Sequence, residues 1–87
     1  MLTVTYTAAE HVAYTLSDHE VPDDVALRIN LQKGGVEIEP DKIRPGDETF
    51  DHDGMVVMVV DQQTLQLLGD KTIDLVTEND GPDLILN

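Results

Sequence analysis

The 87-residue sequence predicts an α+β fold: one domain over residues 1–87, a mixed or antiparallel β-sheet and two short helices packed against it. Three observations predict it. Apolar residues alternate at period two in most segments, helical spacing appears in two short windows, and tight-turn residues join most of the strands. A core of this size buries roughly 60 to 65% of the surface of the unfolded chain, which leaves no room for two sheets with separate cores. The chain holds no Cys and no Trp, and its 5 Lys plus Arg face 18 Asp plus Glu for a net charge of -13. A disulfide framework, thiolate metal sites and cysteine nucleophiles are thereby excluded.

Leu2 to Tyr6 alternates apolar and hydroxyl side chains, as a short half-buried strand does. The period then changes. Thr7 with Glu10 has the spacing of a capping box, and Ala9, Val12, Ala13 and Leu16 share one helical face, which predicts a helix from Thr7 to about Ser17. Asp18 to Asp24 is its exit loop. Val25, Leu27, Ile29 and Leu31 alternate with Ala26, Arg28, Asn30 and Gln32, the signature of a strand with one wet face. Lys33-Gly34-Gly35 is read as a turn with φ > 0, and Val36 with Ile38 as a second, shorter strand of the same hairpin. Pro40 to Glu48, with Ile43 its one strong hydrophobe, is expected to be exposed and irregular. His52-Asp53-Gly54 between two apolar runs predicts a tight hairpin. Met55 to Val60 is continuously apolar and is expected to be a central strand covered on both faces. Asp61 caps a short helix ending at Gly69; Thr72 to Val76 and Leu84 to Leu86 are the last strands, around an Asn79 to Pro82 turn. No internal repeat and no linker interrupts this order.

Charge narrows the partners. Phosphate backbones and anionic headgroups are repelled by this surface, and three aromatic residues are too few for a base-stacking platform, so neither nucleic acid nor membrane is an expected partner. A protein partner is compatible with it; oligomeric state is open. No apolar run reaches membrane-span length and the first residues lack a secretory pattern, so the expectation is a soluble, cytoplasmic protein. The acids are spread along the whole chain, as in a solvated acidic surface or a protein adapted to high salt, whereas a dedicated docking patch tends to cluster them.

Motifs that carry chemistry are sparse. There is no glycine-rich phosphate loop, no G-x-S-x-G elbow and no H-E-x-x-H. Ser17 and His19, close in one helix end, make a poor nucleophile and base pair, and the chain is read as not an enzyme. Among His11, His19 and His52, only Asp51-His52-Asp53 is dense in ligand types, and it supplies the alternative reading of a carboxylate and histidine site for a divalent ion. Asp23-Asp24 and Asp80-x-x-Asp83 lack calcium-loop spacing. No cofactor is expected.

The order of motifs nonetheless resembles one family. Ala8-Ala9, Leu27-Arg28-Ile29 leading to Gly35, Met58-Val59-Val60-Asp61, Thr64-Leu65 and Ile73-Asp74-Leu75-Val76 stand in the sequence order of the HesB-like A-type iron–sulfur carriers. That resemblance implies a HesB-like fold and, in the family, three cysteines that hold iron or a cluster. Here the first falls on Val36, within the Lys33, Gly34, Gly35, Val36 turn, and residues 1–87 end before a C-terminal Cys-x-Cys. Carboxylates and a lone imidazole are poor substitutes for soft thiolates. The expectation is a HesB-like scaffold without its cluster ligands, acting as a protein-binding adaptor or regulator.

Overall fold

The computed structural model describes residues 1–33, 35–79 and 81–87. The elements follow the predicted order: β1 (Thr3–Val4), α1 (Tyr6–Asp18), β2 (Val25–Gln32), β3 (Gly35–Lys42), β4 (Glu48–His52), β5 (Met55–Val60), α2 (Gln62–Leu68), β6 (Thr72–Glu78) and β7 (Gly81–Leu86). The strands form two sheets instead of one: β3-β2-β5-β4 and β1-β6-β7. Both face a single apolar cluster of Leu2, Ala8, Ala9, Val12, Leu16, Ile29, Val57, Met58, Val60, Leu68 and Ile73, so one core serves both sheets.

Most pairings are antiparallel hairpins; β1 with β6 and β2 with β5 are parallel, which makes the architecture mixed. In β5 the side chains of Val57 to Val60 are fully buried, as expected of a strand between β2 and β4. The Asp53-Gly54 turn has φ of 51° and 82°, the two left-handed positions that a two-residue hairpin of matching twist requires. Asp61 caps α2 by accepting from the Thr64 N–H at 2.7 Å.

Four local expectations are corrected. The N-cap of α1 is Thr5, not Thr7: its hydroxyl accepts from the Ala8 N–H at 3.2 Å and donates to Asp74 at 2.9 Å, and this shortens the first strand to two residues. The supposed wet face of β2 is buried at Ala26 and Arg28, while Leu31 on the other face is 45% exposed. Central strands between two neighbours lose one-sided solvation where a loop closes over them, and residues 43–47 do so here. Third, the stretch from Pro40 is not irregular: β3 continues to Lys42, with Pro40 opposite Leu27. Because β3 is an edge strand, the missing proline donor breaks no sheet it needs. Last, Gly81 and Pro82 belong to β7, with Glu78 opposite Gly81, so the reversal is shorter than the Asn79 to Pro82 turn. Among the described residues no helix is long and apolar enough to cross a membrane.

Candidate functional site

β3 alternates half-buried Val36 and Ile38 with exposed Gly35, Glu37 and Glu39, as its sequence pattern requires. Val36 stands opposite Leu31 and Ile38 opposite Ile29 on β2. Where this hairpin approaches the outer strand of the smaller sheet, an open cavity of about 360 Å³ remains. Leu27, Val36 and Ile38 line it from one sheet, Pro82, Asp83 and Leu84 from the other, and His11 from α1. Most of the side chains around it are aliphatic, with one imidazole and one carboxylate among them, but more of the surface it exposes is polar than apolar.

Val36, the position that the resemblance marks, therefore lies in a cavity wall between the two sheets, and Gly35 beside it has φ of +150°, a conformation side-chain-bearing residues rarely adopt. Lys33 is an exposed turn residue, and Gly34 lies outside the described residues. The donor set does not fit an iron–sulfur cluster: the lining holds no thiolate, and its two polar side chains, His11 and Asp83, are hard or borderline donors. Nothing in the sequence sets His11 apart from His19 and His52. Its place in the wall depends on the α1 rotation fixed by Ala8, Ala9, Val12 and Leu16, which are buried.

The Asp51-His52-Asp53 triplet is split. The His52 ring packs on Tyr6, with centroids 5.0 Å apart and planes inclined by 60°, and its Nε2 lies 3.4 Å from Asp53 Oδ2. Asp51 follows an irregularity in the β4–β5 register and is exposed. Among the described residues no group of three His, Asp or Glu side chains is arranged to hold a metal ion. Ser17 and His19 are exposed at the end of α1, where the His19 N–H closes on the Thr15 carbonyl.

Sequence reasoning missed the most strongly organised polar group. The Arg28 side chain, 5% exposed, donates from Nε to Asp41 at 2.7 Å, from Nη1 and Nη2 to the two Asp47 oxygens at 3.1 and 2.6 Å, and from Nη2 to the Lys42 carbonyl at 3.0 Å. Asp47, 4% exposed, also accepts from the Arg44 N–H at 2.8 Å. The Arg28 hydrogen bond holds the Asp47 carboxyl below the ordinary carboxylate range, and the Lys42 backbone N–H does the same for Asp41. Asp47 in turn raises Arg28. This network fastens residues 43–47 over the second face of β2. The available signal was the aspartates at 41 and 47 flanking a proline-glycine loop, but nothing in the period of β2 distinguishes an arginine facing water from one facing that loop.

No protein-family model matches the sequence, and no curated protein matches it. Solved structures do. A structure of Escherichia coli SufA, described as involved in biosynthesis of iron–sulfur clusters, superposes with a TM-score of 0.80 at 24% identity over 99% of this chain and 83% of that one. IscA with its [2Fe-2S] cluster gives a TM-score of 0.66 at 15% identity, over 100% of this chain and 84% of that one. A protein from Aquifex aeolicus, solved by NMR, gives 0.67 at 22% identity over 99% and 89%. At these identities the likeness is one of architecture, and the chain has the α+β fold of the HesB-like, A-type iron–sulfur carriers.

Proposed function

We propose that this chain is a non-enzymatic HesB-fold domain that holds no cluster with its own side chains and works by protein contact, as an adaptor or regulator. The observation that carries the reading is Val36 in the cavity wall, in a sequence of 87 residues with no cysteine. Iron–sulfur clusters are held mainly by thiolates, and His11 with Asp83 supplies only one nitrogen and one carboxylate. A scaffold that keeps the carriers' architecture while lacking their donors retains surfaces, not cargo. The carboxylate and histidine alternative draws less support, because His52 is packed on Tyr6 and only Asp53 stands beside it.

Anaerobic reconstitution with ferrous iron and sulfide tests the reading. Colourless protein is expected, from wild type and from Val36→Cys alike, since one thiol does not complete a site. A stable brown species with stoichiometric iron and sulfide overturns it. The divalent-ion alternative is tested by Tm in about 100 μM Fe(II), Zn(II) or Mg(II), where no upward shift is expected.

A further inference from the structure

Helix α1 turns Ala8, Ala9, Val12 and Leu16 into the core and leaves Tyr6 and Tyr14 outside, 68% and 66% exposed. Tyr6, Glu10 and Tyr14 follow one another at four-residue steps, so they form one stripe about 12 Å long on the face opposite the core. The stripe continues sideways: the Tyr6 ring meets His52, whose cross-strand neighbour Met55 is also partly exposed, and Asp53 stands at the tip with a side chain 86% exposed. Two large aromatic rings kept in water on a chain with three aromatics in all are not explained by the core.

The charge around this stripe is one-sided. No lysine or arginine occurs before Arg28 or between Arg44 and Lys71, and α1 packs on β4, β5 and β6, so the segments that meet at this helix carry no lysine or arginine except Lys71, which precedes β6. Arg28 is buried among carboxylates and Arg44 pairs with Asp41, so both are already matched by acids of their own loop. A second copy of the chain, with the same net charge of -13, is repelled from this face.

We propose that the Tyr6-Glu10-Tyr14 face of α1, with the His52 and Asp53 tip, docks an arginine-bearing basic segment of a partner protein. The proposal rests on the protein-contact reading above and names the chemistry of the partner. A guanidinium plane stacks on a tyrosine ring while its fork pairs with the Glu10 carboxylate between the two rings; a lysine ammonium does the second but stacks poorly. Docking is therefore selective for arginine over lysine at equal charge.

The probe is a hexa-arginine peptide, compared with hexa-lysine, titrated into the ¹⁵N-labelled protein at about 50 mM NaCl, with a repeat at about 300 mM. Amide shifts are expected to concentrate on residues 6–14 and 52–55, with hexa-arginine binding at least about 3-fold tighter than hexa-lysine. Tyr6→Leu with Tyr14→Leu removes no charge and is expected to weaken hexa-arginine about 10-fold. Glu37→Gln with Glu39→Gln, on the far edge strand β3, removes two charges and is expected to weaken it by less than about 3-fold. Both residue pairs are exposed, so all variants are expected to keep the fold, and the amide spectrum checks it. Shifts scattered over every acidic segment, equal losses in the two double variants, or a self-associated protein that covers α1 overturns the proposal. Such a failure with colourless reconstitution removes this docking face alone, whereas a brown, iron-loaded protein removes the reading beneath it.

Discussion

Replacing Asp47 by Asn keeps the side chain's shape and removes the charge that the Arg28 guanidinium faces. Asp47 accepts three hydrogen bonds, two from Arg28 and one from the Arg44 N–H, and both ion-pair partners are almost wholly buried. The amide presents an NH₂ where one carboxylate oxygen met a donor, so at least one buried N–H pair becomes donor against donor. Breaking a buried pair from one side costs about 3–5 kcal/mol. Arg28 keeps Asp41, which is 29% exposed, and the Lys42 carbonyl, so the lower end applies, about 3 kcal/mol. For a domain this size that is a Tm lower by roughly 12–24 °C, or a urea midpoint lower by about 2–3 M. Urea unfolding followed by far-UV circular dichroism measures it. The companion Arg28→Met with Asp47→Leu removes both charges and fills the space with carbon, and it is expected to lie within about 1 kcal/mol of wild type. An Asp47→Asn loss below about 1 kcal/mol, or a double variant no better than the single one, refutes the claim that the buried pair is held together by mutual need.

Three further outcomes follow from the same geometry. Because the Asp47 carboxyl is held below its ordinary range when folded, its stabilisation is fully present above about pH 4 and is lost as pH falls through the folded value; Tm of wild type falls more steeply below pH 4 than that of Asp47→Asn. Thr5→Ala is expected to cost about 1–2 kcal/mol through the lost α1 cap and the Asp74 bond, against under about 0.5 for Thr7→Ala, and thermal unfolding of both decides which threonine caps the helix. With a net charge of -13, Tm is expected to rise between about 20 and 500 mM NaCl, which calorimetry reads directly.

Element type and order were legible because each rests on local chemistry: the period of β2, the apolar run of β5, the Asp53-Gly54 turn and the Asp61 cap all carry their own signal. What was not legible depends on partners distant in sequence. Thr5 rather than Thr7 caps α1 because β1 must stop to pair with β6, some 69 residues away. The division into two sheets is likewise set by β1 choosing β6 and β2 choosing β5. At the site, the order of motifs points to Val36, but His11 and Leu84, which line the same cavity, come from α1 and β7 and share no motif with it. Alternation places Arg28 in water because it describes one strand and is blind to the loop that closes over it.

The parallel pairing of β1 with β6 has a consequence for how the chain comes off the ribosome. Thr3 and Thr5 donate their N–H groups to the Lys71 and Ile73 carbonyls, so β1 has no partner until residues 71–73 have been synthesised. Until then Leu2 and the inner side of the first helix lack the part of their packing surface that β6 supplies. The hairpins can form locally, but a contact of such long sequence separation comes late and slows closure of the core, and the heavy anionic charge helps keep the waiting segments apart from one another and from other nascent chains.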